Sequence, residues 1–250
     1  MPSNDSQLAI IIPAFNAEKT IFKTLSRLKA NLSELPSPAV IIIINDGSGD
    51  NTQLEIEKTA KKLELNFIVL NHKSNKGYGA AQKTGFKKAL SLGCKCSVLL
   101  HADGQYSPSE MAKIIQPLLR KEADVSMGSK IISGKALSEG MPKARYFASR
   151  LITLIENKIF NLNFAEYHSG YMAYSLKALN AIKFETLTDK FHFDGEMLLC
   201  AGKLKLQVAE IPITAHYGPQ FSSLSPLPYC FEIAKTILKY LRRKYFFQKS

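Results

Sequence analysis

Short runs of apolar, often β-branched residues punctuate the first half of the chain: Leu8–Pro13, Ala39–Asn45, Phe67–Asn71, Ser97–Leu100 and Asp124–Gly128. Helical patterns separate them, near Lys19–Leu32, Thr52–Leu63, Ala80–Leu92 and Pro108–Lys121. Runs this continuous suit strands covered on both faces. Strand–helix alternation implies an α/β fold with a mainly parallel sheet, because right-handed crossovers return each strand in the same direction. Ligands in such sheets gather beyond the carboxyl ends of the strands. Those loops are where chemistry is expected.

After the first strand comes Pro13-Ala14-Phe15-Asn16-Ala17-Glu18, and after the second Asn45-Asp46-Gly47-Ser48-Gly49-Asp50-Asn51-Thr52. The third ends in Asn75-Lys76-Gly77-Tyr78-Gly79 and the fourth in His101-Ala102-Asp103-Gly104-Gln105-Tyr106. A nucleotide site needs backbone amides near phosphate, a carboxylate for base or ribose, and a metal ligand. Alternate residues of an extended segment share a face, so His101, Asp103 and Gln105 are expected to point one way. Such a cluster suits Mg²⁺ or Mn²⁺, whereas the plain alternative is an Asp-Gly turn. Asp50-Asn51-Thr52 reads as a helix cap. Gly77 and Gly79 lack the third glycine of a dinucleotide fingerprint and are expected to allow close backbone approach to a ligand and to the helix start.

The 250 residues include 33 Lys and Arg against 21 Asp and Glu, a net charge of +12 that calls for an anionic partner. Phosphorylated ligands and acidic lipids are candidates. The cations are scattered with no recognised motif, so nucleic-acid binding is not expected. Cys94, Cys96, Cys200 and Cys230 show no disulfide framework, which suits reduced thiols and a cytoplasmic location. No apolar stretch approaches the roughly 20 residues that span a bilayer. The protein is expected to be soluble or peripheral on the inner face of the membrane.

Taken in order, IIIPAFNAEKTI, IINDGSGDNT, NKGYGAAQKTGF, LLHADGQYSPSEM, DVSMGSK, EYHSGYMAYS, FHFDGEMLL and QVAEIPITAHYG resemble the family 2 glycosyltransferases, over roughly residues 7–220. The resemblance is strongest to the branch of dolichyl- or polyprenyl-phosphate sugar synthases. It implies a GT-A fold: one Rossmann-like domain over residues 1–225, followed by a basic amphipathic tail over 226–250. It further implies an inverting, metal-dependent transferase that moves a sugar from a UDP- or GDP-linked donor to a polyprenyl phosphate or cell-envelope glycan. Pro13, Ala14, Phe15, Asn16 and Asp46 would hold the base and ribose, with Lys76, Ala102, Asp103 and Lys130 along the nucleotide. Asp103 would ligate the divalent ion, with Gln105 and His101 as further ligands. Asp194 and Glu196 match the family's acidic pair near the acceptor, and Asp194 is the first choice for a general base. Two departures stand out: His101 replaces the first aspartate of the fuller motif, and Met172 replaces an arginine that would meet a lipid-phosphate acceptor, for which Lys130, Arg145 or Arg150 offer replacement charge.

The reading of the residues leaves alternatives open. One of Asp194 and Glu196 could instead orient the acceptor or pair with a lysine. His168 and His216 could approach the metal or serve as scaffold, and His192 reads as structural. In the tail, Cys230, Ala234, Ile237, Leu238, Leu241 and Tyr245 fall at helical spacing beside Lys235, Lys239, Arg242, Arg243 and Lys244. Such a helix suits an anionic membrane surface, or packing on the domain or in a homo-oligomer. A noncatalytic nucleotide-sugar-binding protein is the competing function.

Overall fold

The computed structural model describes residues 7–214 and 226–248. Its seven described strands are β1 (Leu8–Ala14), β2 (Ala39–Asn45), β3 (Ile68–Asn71), β4 (Cys96–Leu99), β5 (Val125–Ser129), β6 (Met172–Ser175) and β7 (Val208–Pro212). The helices are α1 (Ile21–Asn31), α2 (Thr52–Leu63), α3 (Tyr78–Ser91), α4 (Met111–Leu119), α5 (Lys143–Phe160), α6 (Leu176–Ala181), α7 (Phe193–Lys203) and α8 (Pro226–Leu241). They flank one sheet of order β3-β2-β1-β4-β6-β5-β7.

The first four strands in that order are mutually parallel. Strand β6 runs antiparallel to both β4 and β5, and β5 pairs parallel with β7. The reversal at β6 joins the parallel half of the sheet to a second half whose helix α7 meets α3 through Tyr78 and Asp194. This is the α/β GT-A arrangement.

Alternation along the strands explains the unbroken apolar runs. Ile10, Ile12, Ile41 and Ile43 face α1 and α4, packing with Leu25 and Ile114. Ile11, Ile42 and Ile44 face the other way, onto Phe86 of α3 and Leu198 of α7. Each such side chain contributes about 1.5–3 kcal/mol on full burial. Met172 belongs to this core: it is fully buried and in register with Met127. The position expected to meet an acceptor is therefore a packing position in this chain.

The tail packs back on the domain. Lys239 Nζ lies 3.1 Å from Glu196 Oε1, and the Tyr245 hydroxyl donates to the same oxygen. Tyr245 is buried while Leu238 and Leu241 stay exposed. His216 lies outside the described residues.

Candidate active site

The carboxyl edge of the parallel strands is laced by short polar links. Asn16, in the left-handed region at φ +49°, donates its amide to Ser48 Oγ at 3.0 Å and accepts from the Gly49 amide at 3.0 Å. Asp50 accepts from the Thr52 amide and hydroxyl and from the Glu18 amide. Burial raises its pKa, but those hydrogen bonds outweigh it and leave the carboxyl below its ordinary value. So Asp50 caps α2 and also ties the β1 and β2 loops together. Phe15, 48% exposed, stands clear at the rim.

Asp46 is only 3% exposed. Its Oδ1 accepts the Lys76 amide at 3.0 Å and its Oδ2 the Gly77 amide at 2.9 Å, while His72 Nδ1 lies 2.5 Å from Oδ1. Much of its hydrogen-bonding capacity is thus committed to clamping the loop that carries exposed Lys76. Gly77, at φ +109°, and Gly79 pack on a protein backbone rather than on open space: a Cβ at either would collide with a carbonyl oxygen of the Thr188–Asp189 segment. The Gly79 amide donates to Asp189 O at 2.9 Å. The close approach expected of these glycines is made by residues 188–189.

The segment after β4 is not extended. The Gly104 amide donates to His101 O at 3.4 Å and Gly104 takes φ +73°, so residues 101–104 turn and the side-chain alternation of an extended segment does not apply to them. Asp103 Oδ1 accepts the Gln105 amide at 3.0 Å, and Oδ2 has no described partner. His101 turns its Nε2 edge inward, 2.7 Å from the Tyr78 hydroxyl and 3.1 Å from Gly170 O. Burial foremost lowers its pKa; Lys130 lowers it further and Asp103 opposes both. From α1, Thr24 donates to Ala102 O at 3.0 Å and Arg27 to Gly104 O at 3.3 Å, holding the turn from below. The Lys130 ammonium sits 4.6 Å from the centre of the Tyr106 ring, which itself packs edge-on to His101.

Tyr78 extends the constellation. Its hydroxyl donates to Asp194 Oδ2 at 2.8 Å, and Gln82 Nε2 donates to Asp194 Oδ1 at 3.0 Å. A continuous chain therefore runs from His101 through Tyr78 to a buried carboxylate at the start of α7. Burial pushes the Asp194 pKa up to about 7, with the two hydrogen bonds pulling the other way. Neither Tyr78 nor Gln82 stood out in the sequence. Their partner lies more than a hundred residues away, and the only local sign was a tyrosine set between two glycines.

Glu196 is not brought to Asp194. Residues two apart on a helix face nearly opposite ways. Glu196 accepts from the Thr188 amide at 2.5 Å and from Lys239 and Tyr245, so it braces the tail. His192 and His168 are scaffold residues, flanking the buried Glu156 at 3.4 and 3.2 Å.

The parallel strands with their polar edge, the reversed β6 and the buried acidic helix define a GT-A transferase architecture. The chain belongs to glycosyl transferase family 2, whose model matches residues 9–183. Among curated relatives, the UDP-N-acetylglucosamine–dolichyl-phosphate N-acetylglucosaminyltransferase of Methanococcus voltae is 32% identical over 228 residues, 85% of this chain and 87% of its own. The undecaprenyl-phosphate mannosyltransferase of Micrococcus luteus is 26% identical over 205 residues, 82% of this chain and 81% of its own. Glucosyl-3-phosphoglycerate synthase from Mycobacterium tuberculosis, solved with Mn²⁺, UDP and glucosyl-3-phosphoglycerate, shares the fold at TM-score 0.66 and 14% identity, over 95% of this chain and 78% of that one. It has also been solved with Mg²⁺ and UDP, at TM-score 0.61 and 16% identity, over 95% of this chain and 78% of that one.

Proposed function

We propose that this chain moves a sugar from a nucleoside-diphosphate sugar to a polyprenyl phosphate, with inversion at the anomeric carbon. The observation that carries the reading is the chain His101–Tyr78–Asp194, which ties the loop after β4 to a buried carboxylate on α7. Donor and acceptor chemistry would meet along it. The activities of the M. voltae and M. luteus relatives support a lipid phosphate as acceptor.

In this reading Pro13, Ala14, Phe15 and Asn16 flank the nucleoside beside Asp46, whose clamp keeps Lys76 at the phosphates. Lys130 and Ala102 line the diphosphate. A divalent ion fits the donor set. Among the described residues no three His, Cys, Asp or Glu side chains converge on one point. Mg²⁺ typically takes one or two protein carboxylates and completes its shell with water and substrate phosphate. Asp103, with one oxygen uncommitted, would hold the ion with the Gln105 side chain nearby. His101, whose Nε2 faces Tyr78 and Gly170, orients the relay. When bound, the ion supplies electrostatic stabilisation of the departing diphosphate.

A phosphate monoester has its second pKa at about 6, so most of it is dianionic at pH 7 and attacks without a base; Asp194 orients the acceptor and takes the remaining proton of the monoanionic fraction. A monoanionic acceptor can therefore pass its remaining proton to a carboxylate that titrates at about 7. Each Asp194 oxygen that accepts from Tyr78 or Gln82 retains a second lone pair for that proton. Glu196 contributes by positioning, through the 188 amide and the tail. A lipid acceptor also requires work at a membrane surface. No helix among the described residues is long and apolar enough to cross one. The reading takes the association as peripheral, with α8 as a contact.

The test is calorimetric titration with UDP and with GDP, with and without Mn²⁺, in the wild type and Asp103→Ala. Metal-dependent binding of one nucleotide, lost in the variant, is expected. Absence of binding under every metal condition overturns the reading in favour of a degenerate binding module.

A further inference from the structure

Helix α5 turns a charge inward. Phe147, Leu151 and Leu154 are exposed along it, while Glu156 is wholly buried. Its carboxylate reaches two imidazoles from different segments: Oε2 lies 3.2 Å from His168 Nε2, and Oε1 lies 3.4 Å from His192 Nε2. Among the described residues no other partner is found for these four atoms. The Tyr229 hydroxyl of α8 closes the cluster from the far side, 2.9 Å from His168 Nδ1 and 3.4 Å from His192 Nδ1. Glu232 of α8 accepts the His192 amide at 3.0 Å. The proposed reaction uses none of these groups.

Each histidine stands two residues from one end of the His101–Tyr78–Asp194 relay. His168 precedes Gly170, whose carbonyl lies 3.1 Å from His101 Nε2 and whose amide donates to the Tyr106 hydroxyl at 2.9 Å. The fit there leaves no slack: a Cβ on Gly170 would stand 2.5 Å from His101 Cε1 and 3.0 Å from the Tyr78 hydroxyl. His192 precedes Asp194, and its ring lies on Gly195, where a Cβ would stand 2.3 Å from His192 Cε1. One carboxylate therefore spans the two segments that bound the relay.

A buried carboxylate tolerates little displacement from the groups that compensate it. Close-packed surroundings carry that constraint to the neighbouring residues. Burial foremost, with His168 beside it, pushes the His192 pKa down to about 3, so this ring is a neutral spacer. Glu156 thus fixes a distance rather than supplying a proton.

We propose that Glu156 is a positioning residue for the transfer: through His168 and His192 it sets the separation of Gly170 from Asp194, and with it the Tyr78–Asp194 hydrogen bond. The inference rests on Asp194 as the proton acceptor of the proposed reaction for its effect on turnover, not for its geometry.

The test substitutes Glu156→Gln and follows Asp194 in two ways. One is the pH–rate profile of sugar transfer. The other is the ¹³C titration of the Asp194 carboxyl in aspartate-labelled protein, assigned with Asp194→Asn and read without substrate. A slackened Tyr78 bond stabilises the charged form of Asp194 less, so both midpoints are expected to rise by about half a pH unit. At neutral pH kcat should fall roughly tenfold with the donor KM within about twofold, the pattern of a displaced group that leaves ground-state binding alone. The sign separates causes, because loss of a negative charge acting directly on Asp194 would lower the midpoint. The titratable side chains that feel Asp194, namely Tyr78, Tyr174 and Tyr229, are neutral, their pKa values raised foremost by burial, so none supplies a competing charge. In a Tyr78→Phe background Glu156→Gln should add no further rise, because the bond it acts through is gone. Circular dichroism checks folding. Where Glu156→Gln does not fold, Tyr229→Phe decides: it takes only the α8 hydroxyl from the cluster and should raise the carboxyl midpoint by less. An unmoved or lowered midpoint in the folded variant, or an equal rise in the Tyr78→Phe background, overturns the proposal. Transfer absent in wild type counts against the proposed function, whereas the carboxyl titration still decides the positioning.

Discussion

Asp194 and Glu196 lie two residues apart on α7, are both buried, and have different partners. Asp194 receives Tyr78 and Gln82 from α3, whereas Glu196 receives Thr188, Lys239 and Tyr245 from a loop and the tail. Asp194 has its pKa pushed up to about 7, because two neutral donors do not offset its burial. Glu196 has an ammonium group beside it. An acidic pair that looks like one unit in sequence is split by helix geometry into a carboxyl held by neutral donors, the base of the proposed reaction, and a carboxylate paired with an ammonium that braces the tail.

The sharpest way to break this contrast is to remove the group upstream of it. Asp103→Ala is expected to lower transfer by about a thousandfold, the scale of losing a principal stabiliser of leaving-group charge. Steady-state turnover at saturating Mn²⁺ measures it, and a loss below tenfold would move the ion elsewhere. Next comes Asp194→Asn, with a fall in kcat of roughly a hundredfold, typical of losing a proton acceptor. The same substitution has a stability signature of known sign. A carboxyl whose folded pKa is raised gives its full stability below the unfolded value and loses it as pH rises through about 7. The asparagine variant should therefore melt higher than wild type at pH 8 and show no such advantage at pH 4.

Tyr78→Phe sharpens the comparison further. Removing a donor to the charged form of Asp194 raises its pKa again, so the acid limb of the pH–rate profile should move to higher pH, with kcat down about tenfold at neutrality. An unmoved limb would cut Tyr78 out of the relay. The smallest effect on chemistry belongs to Glu196→Gln. Turnover should stay within about threefold while denaturant titration shows a loss on the order of 1–3 kcal/mol, because Lys239 keeps a neutral partner where it had a charged one.

Much of the scaffold was legible in the sequence. The segment Ala39–Asn45 is β2 as read, and Thr52–Leu63 is α2, because continuous β-branched runs and a capped amphipathic pattern are local signals. Strand β6 was not marked, since Met172–Ser175 is short and takes its direction from β4 and β5 rather than from its own residues. At the candidate site, the alternation of an extended strand was applied to His101, Asp103 and Gln105, whereas residues 101–104 turn. The partnership of Tyr78 with Asp194 spans 116 residues and leaves no periodic trace. The exposed stripe of α5 was equally hidden: Phe147 and Leu151 have the ordinary spacing of a core helix, yet Thr153, Glu156 and Phe160 are the residues turned inward.

The seating of Gly77 and Gly79 on the Thr188–Asp189 backbone bears on how such a protein can diversify. The loop that carries Lys76 and the segment leading into α7 form one interlocked piece, with no room between them for even a methyl group. Changes introduced through residues 186–192 must therefore preserve that fit. A chimera that imports this segment from a relative will keep its donor geometry only if both glycines, or an equally bare backbone, travel with it.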